Sequence, residues 1–317
     1  MNAGRLPNLI VAGVPKAGTG SLFHYLAQHP QICGSDEKEV GYFNYFNPRH
    51  HSGPPPPLES YMRHFTHCAG EPYAMEATPN YSYNGQPIID AIRGTLPSAK
   101  IVLSLRAPVD RLWSEYTFQR ELGNIAKMRS FEEYLDVLEH RKRDGSDLVP
   151  RDHLHGLYIG YYGDYVPLWL SAFGEDIRVV FAEELFRDPV TVVADLLRWL
   201  GLDADVLPQL DLGARNPTQH PRSVRAAHVA YSVKRAGERL RVLPRRVREP
   251  IRRLYVRANT GAPPERLSPE MRSHVQELYR ESTQVTAQAL AAHGYRDVPA
   301  WLQEESAHER PDQGHRP

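Results

Sequence analysis

Two kinds of apolar pattern alternate along the N-terminal two thirds of the chain. Residues 8–13, NLIVAG, form a short unbroken apolar run bounded by turn residues, as expected of a parallel strand buried on both faces. A helix-like stretch follows from Ser21 to Gln28. A second run, KIVLSLR at 100–106, leads through APVDR into an amphipathic stretch from Val109 to Glu121, repeating the order strand, turn, helix. A third, IRVVFAEEL at 177–185, precedes Pro189 and the stretch VTVVADLLRWLGL, whose Val193, Leu196, Leu197 and Leu200 share one helical face. Further helices are expected at 131–143, 163–173 and 269–292, and HHSGPPPPLES at 50–60 reads as an extended surface loop, because consecutive prolines donate no backbone hydrogen bonds. Strands alternating with helices imply an α/β fold, a central parallel sheet with helices on both faces. No internal repeat is present.

The segment 216–265 departs from this pattern. It is rich in arginine, with apolar spacing for helices broken at Pro244 and Pro250. It reads either as a solvated helical face packed on the domain or as an electropositive wall that attracts an anionic substrate or a membrane surface. From Glu304 the chain is polar and expected to be disordered, so a single domain over 1–303 with a tail over 304–317 is the simplest organisation.

Composition narrows the function. With 317 residues, 41% hydrophobic and 24% charged, the chain suits one large globular domain, and its 38 basic residues balance 38 acidic ones, which argues against a dedicated nucleic-acid binder. Cys33 and Cys68 show neither metal-ligand spacing nor a disulfide framework, so two free thiols in a reducing compartment are expected. The apolar run near the N-terminus is too short for a signal peptide or membrane span, and a soluble cytoplasmic protein is the expectation.

The chemistry concentrates in VAGVPKAGTGSLFHYL, residues 11–26. A nucleotide-triphosphatase loop places its lysine directly after the last glycine. Here the order is Gly13, Val14, Pro15, Lys16, Ala17, Gly18, Thr19, Gly20, Ser21. The turn keeps its anion-binding physics: Gly18 and Gly20 allow close backbone approach, the amides from Gly18 to Leu22 open a helix, Lys16 adds a cation, and Thr19 and Ser21 add hydroxyls.

This loop resembles the 5′-phosphosulfate loop of sulfotransferases that use 3′-phosphoadenosine 5′-phosphosulfate (PAPS), with Gly20 where the family's P-K-x-G-T-T-S/A-L pattern has a second threonine. SLRAPVDRLWSEY at 104–116 resembles the family's 3′-phosphate segment and singles out Arg106 and Ser114, with Arg111 between them assigned to a structural ion pair. EKEVGYF at 37–43, MEATPNY at 75–81 and VVFAEELFRDPVTVVADLLRWLGL are similar to segments of the branch related to heparan sulfate sulfotransferases, and the stretch ending DVPAW resembles the closing helix of bacterial members. The resemblance implies a three-layer, P-loop-like domain with PAPS as co-substrate and no metal. It implies Lys16 at the bridging oxygen of the donor, Lys16, Ala17, Gly18, Thr19, Gly20 and Ser21 around the 5′-phosphosulfate, and Glu39 as the base that deprotonates the acceptor. Glu76 is a rival base. Lys38 and Tyr162, with neighbouring Tyr161, are candidate acceptor contacts. His50 and His51 are weaker candidates and His24 reads as a core or surface histidine, while Asn216 and Arg222 fall where relatives close a loop over the nucleotide. The implied acceptor is a hydroxyl, less readily an amine, on a carbohydrate or secondary metabolite. A P-loop nucleotide kinase and a catalytically silent nucleotide-binding protein remain as other readings, the first disfavoured by the lysine's position and the second by Glu39. The oligomeric state is open.

Overall fold

The computed structural model describes residues 4–48, 53–125, 128–146, 153–213 and 267–303. Within them, five strands form one parallel sheet: β1 Leu9–Gly13, β2 Ile32–Gly34, β3 Tyr73–Ala77, β4 Lys100–Leu105 and β5 Ile177–Phe181, in the order β2-β3-β1-β4-β5. The helices are α1 Thr19–Leu26, α2 Leu58–Met62, α3 Gln86–Thr95, α4 Pro108–Glu121, α5 Phe131–Asp144, α6 Gly156–Ile159, α7 Val166–Phe173, α8 Ala182–Arg187, α9 Pro189–Trp199, α10 Pro269–Ala292 and α11 Ala300–Gln303.

The unbroken apolar runs have a packing reason. In β1, Leu9 and Val11 join a cluster with Leu22 and Leu26 of α1 and Val193, Leu196 and Leu197 of α9 on one face. Ile10 and Ala12 join Ile88, Ile89 and Ile92 of α3 and Trp169 of α7 on the other. Both faces are covered, so neither parity of the strand tolerates a polar side chain. Each fully buried aliphatic side chain here contributes about 1.5–3 kcal/mol relative to exposure. A third cluster joins α4, α5, α6 and α10 through Leu112, Tyr134, Leu157 and Tyr279.

The order of strands creates a switch point. From β1 the chain leaves through α1 toward β2, whereas from β4 it leaves through α4 toward β5; β1 and β4 are neighbours whose connections run to opposite sides. The connections therefore diverge from their C-terminal ends, and such a switch point is where open α/β sheets take ligands.

The structure alters several expectations. The third strand stops at Phe181, its last residue paired with β4 at Leu105, and Ala182–Arg187 turns helical with Glu183 and Glu184 in its first turn, where the helix dipole favours negative charge. The proline-rich loop stays extended only to Pro57, which caps α2. Strands β2 and β3 were not foreseen: β2 has three residues, and β3 carries Glu76 as the fourth of its five. The expectation of two free thiols is overturned. Cys33 in β2 and Cys68 form a disulfide across a sequence separation of 35, their Cα atoms 5.7 Å apart. Pairing depends on this spatial approach, which spacing in the sequence does not reveal, and the thiol argument for a reducing compartment falls with it. No helix among the described residues is long and apolar enough to cross a membrane. The arginine-rich segment 216–265 lies outside the described residues.

Candidate active site

The turn after β1 is assembled mainly from backbone. Val14 N–H donates to the Ser104 carbonyl at 2.8 Å, Ala17 N–H to the Val14 carbonyl at 3.3 Å, and the Ser104 hydroxyl to the Ala17 carbonyl, so β4 holds the loop at both ends. Gly13 is required by space: a Cβ there would lie 2.3 Å from Ser82 Oγ and 2.8 Å from the Pro79 carbonyl oxygen. Gly18 is required by conformation and space together. Its φ is 83°, and a Cβ would stand 2.9 Å from Leu185 and 3.1 Å from Phe186 of α8.

Gly18 occupies the N-cap of α1 and offers no side chain to its amides, and no acidic residue lies in the first turn. The helices α2, α3, α4, α6, α7 and α8 likewise lack a side-chain cap, whereas three helices have one. Ser130 caps α5, Asp188 caps α9 and Ser268 caps α10, each through a side-chain oxygen. The α1 terminus thus keeps donors and positive dipole available for an external anion. The hydroxyls of Thr19, Ser21 and Ser114 take no hydrogen bond among the described residues, although Thr19 and Ser21 are largely buried.

Lys16 adopts φ 72°, a left-handed conformation uncommon for a side-chain-bearing residue, and its Nζ rests 3.7 Å from the centre of the Phe118 ring on α4. Burial holds its ammonium below the ordinary lysine range, against the opposing pull of Glu115 and Glu121; Arg106 and Arg111 add to the lowering. Arg106, just beyond β4, donates from Nη1 to the Lys16 carbonyl at 3.1 Å, and its guanidinium carbon lies 5.8 Å from the Phe186 ring centre. The two segments identified by resemblance therefore meet at the β1/β4 switch point.

Tyr162 is buried and donates its hydroxyl to the Arg106 carbonyl at 2.8 Å, so it fixes the backbone that presents Arg106; burial drives its phenol pKa up. Tyr161 goes the other way, into the α5/α10 side, with Lys142 Nζ 3.0 Å from its ring centre and the Tyr279 ring tilted against it at 4.9 Å. Arg111 is fully buried and donates to the Gly156 carbonyl; no carboxylate among the described residues pairs with it, in contrast to the ion pair expected.

The segment after β2 supplies the acceptor-side candidates. Lys38 and Glu39 pair at 3.3 Å, and the Glu39 side chain is 45% exposed. Gly41 N–H donates to Thr78 Oγ1 at 3.1 Å, tying this segment to the end of β3. Burial raises the Tyr83 phenol, and both Glu115 and Glu39 push it in the same direction, so carboxylates from α4 and from the Glu39 segment act on one point. Glu76 sits differently. It is 0% exposed and accepts from Tyr61, from Thr78 at 2.7 Å and from Tyr81 at 3.2 Å, with burial raising its pKa. An acceptor would have to displace two buried tyrosines to reach it. His24 lies edge-on to Tyr25 with Nε2 buried and without a partner among the described residues. His50, His51, Asn216 and Arg222 lie outside the described residues.

Glu115 and Phe118 escaped the sequence reading, although a signal was there. Arg111, Ser114, Glu115 and Phe118 follow the spacing i, i+3, i+4, i+7, one face of α4, and that face meets the loop.

A parallel sheet with an anion-ready loop at its switch point defines a P-loop-like α/β protein. The chain belongs to the sulfotransferase-domain family, whose model matches residues 6–287. It is 35% identical over 151 residues to the membrane-associated sulfotransferase kil1 of Dictyostelium discoideum, covering 47% of this chain and 30% of that protein. It is 27% identical over 206 residues to the bifunctional heparan sulfate N-deacetylase/N-sulfotransferase 3 of Homo sapiens, covering 62% of this chain and 22% of that protein. The chain thus spans less than a third of the length of these curated relatives. A crystal structure of a sulfotransferase from Alicyclobacillus acidocaldarius aligns with a TM-score of 0.66 over 94% of this chain and 99% of that one, at 23% identity, which establishes a shared fold.

Proposed function

We propose that the protein transfers a sulfuryl group from PAPS to a hydroxyl of a carbohydrate or secondary-metabolite acceptor, an amine being the less favoured nucleophile. The observation that carries this reading is the meeting of an uncapped α1 terminus and Lys16 with Arg106 at the β1/β4 switch point. The α1 amides would receive the 5′-phosphosulfate, and Arg106 with the Ser114 hydroxyl the 3′-phosphate. Leaving its rest over Phe118, Lys16 would meet the bridging oxygen as charge grows there.

In this reading the acceptor oxygen attacks sulfur in line with the bridge. The new S–O bond forms as the old one breaks, the acceptor proton passes to the Glu39 carboxylate, and 3′-phosphoadenosine 5′-phosphate departs. Glu39 is favoured over Glu76 because it is accessible while Glu76 is enclosed by Tyr61 and Tyr81. The name of the human relative, which includes heparan sulfate N-sulfotransferase, supports a carbohydrate acceptor and keeps the amine in view.

Thermal shift tests the donor. Stabilisation by 3′-phosphoadenosine 5′-phosphate without magnesium is expected, by about 2.7 kcal/mol at a hundred times its Kd. Stabilisation only by ATP with magnesium would replace this reading with a nucleotide kinase. Mass spectrometry of candidate acceptors incubated with protein and PAPS then looks for a gain of SO3.

A further inference from the structure

The disulfide has a third neighbour. His67 is exposed, and its Nε2 lies 3.4 Å from Cys33 Sγ and 3.0 Å from the Gly34 carbonyl oxygen. The donor atoms of Cys33, His67 and Cys68 all fall within 4.8 Å of one another. Sequence spacing hides the set because Cys33 comes from β2, whereas His67 and Cys68 follow the helical turn Arg63–Phe65.

We infer that Cys33, Cys68 and His67 form a redox-gated site for a thiophilic divalent cation, with zinc the fitting occupant. Zinc takes two thiolates and an imidazole in tetrahedral geometry, with Zn–S about 2.3 Å and Zn–N about 2.0–2.1 Å. Those bond lengths set a sulfur-to-nitrogen separation of roughly 3.5 Å and a sulfur-to-sulfur separation of roughly 3.8 Å across a tetrahedron. The first agrees with the 3.4 Å between Cys33 Sγ and His67 Nε2. The second is a non-bonded distance, so the site opens only when the disulfide is reduced. Cα atoms 5.7 Å apart let both sulfurs reach one ion. Two thiolates and a neutral imidazole balance a dication, so the two buried sulfurs keep no uncompensated charge. His67 provides the solvent-side entry, and a water fills the fourth position next to the Gly34 carbonyl.

The chemistry balances. A dithiol reductant delivers two electrons and two protons to the sulfurs and leaves as its own disulfide. The cation then displaces both thiol protons to solvent and accepts lone pairs from the two thiolates and from His67 Nε2, the ring taking its Nδ1-protonated tautomer. Either link, covalent or metallic, closes the stretch that carries Lys38 and Glu39. The site stands independently of the sulfotransfer reading, and its test does not use activity.

The experiment titrates the full chain, fully oxidised or reduced with a phosphine, with Co(II) as a spectroscopic probe and Zn(II) as competitor. The reduced protein is expected to take up one Co(II) with a thiolate-to-cobalt charge-transfer band and the intense visible bands of a tetrahedral centre, and Zn(II) should bleach both. The oxidised protein should lack the charge-transfer band. Reduced Cys68→Ser should lose it, and His67→Gln, a change at an exposed position, should weaken Co(II) binding at least tenfold. No charge-transfer band in the reduced wild type overturns the proposal. So does equal Co(II) affinity in wild type and His67→Gln.

Discussion

The two halves of the candidate site are built by different means. On the donor side, the backbone of the β1 turn is the group held, at Val14 by a main-chain bond to β4 and at Lys16 and Ala17 by the Arg106 and Ser104 side chains, with Gly13 and Gly18 where a Cβ would crowd its neighbours, so its shape follows from the core of the sheet. On the acceptor side, main-chain bonds from Ser35 N–H to the Met75 carbonyl at 2.8 Å and from Asp36 N–H to the His64 carbonyl at 3.1 Å anchor only the start of the segment that carries Lys38 and Glu39, and side-chain links hold the rest: Asp36 to His64 at 2.7 Å, Gly41 to Thr78, and the Cys33–Cys68 bond. Geometry fixed by backbone and core is hard to vary, whereas geometry fixed by a few side chains can be retuned one link at a time. Such a division suits a protein with an invariant donor and an acceptor-specific second half.

Substitutions can break that comparison, beginning with the largest expected effect. Glu39→Gln should reduce turnover by about 10²–10⁴-fold, the usual worth of a general base, while leaving the affinity for 3′-phosphoadenosine 5′-phosphate in titration calorimetry unchanged. An active variant would move the proton acceptor elsewhere. Lys16→Ala should lower turnover by about 10²–10³-fold with a smaller change in nucleotide affinity, because in the proposed reaction its interaction strengthens only as the bridge breaks. Burial places the Lys16 ammonium below its ordinary 10.5, so the basic limb of the kcat/KM profile should fall below that pH; a limb at or above it would remove Lys16 from the rate-limiting chemistry.

Glu76 separates catalysis from support. Glu76→Leu leaves the hydroxyls of Tyr61, Thr78 and Tyr81 without their shared acceptor, at a cost to stability of about 1–3 kcal/mol, measurable by denaturant unfolding. The folded protein should retain turnover. Burial raises the Glu76 pKa above its ordinary 4.5, so the folded state binds this proton more tightly than the unfolded chain. Its contribution is fully present below the unfolded value and is lost as pH rises through the folded one, and Glu76→Gln should flatten that part of the stability profile. Arg106→Ala should weaken nucleotide binding by about 2 kcal/mol, roughly thirtyfold, if its guanidinium pairs with the 3′-phosphate. Calorimetry showing no change would remove that assignment.

The same division decided what the sequence could tell. β1 and β4 were legible because both of their faces are buried and their runs are apolar but for Ser104 and the opening Lys100 of β4, and the donor loop was legible because its constraints are local: Gly13, Gly18 and Lys16 stand within six residues of one another. β3 was hidden by Glu76, an acidic residue that interrupts the run and is accommodated by hydroxyls of Thr78 and Tyr81 just beyond the strand and of Tyr61 from α2. The boundary at Phe181 was misplaced because FAEEL suits strand or helix, and only the end of pairing with β4 decides. The Cys33–Cys68 bond, and the burial that separates Glu76 from Glu39, arise from tertiary approach that no spacing encodes. The Phe118 rest for Lys16 lay between these cases, visible as a helical face once α4 was assigned.

The smallest change expected tests how completely the backbone governs the donor side. Gly20 lies in the first turn of α1 with negative φ, a conformation any residue adopts, yet glycine there costs the helix up to about 1 kcal/mol relative to alanine. If the α1 amides do most of the work of holding the phosphosulfate, Gly20→Thr should add only one hydroxyl contact, worth about 0.5–1.5 kcal/mol. Nucleotide affinity should then rise between about twofold and tenfold in calorimetry. A gain of a hundredfold would mean that side chains, and not the main chain, govern donor binding. A loss would mean that the anion approaches the helix so closely at position 20 that a Cβ cannot be admitted, which would make Gly20 a third backbone-imposed glycine alongside Gly13 and Gly18.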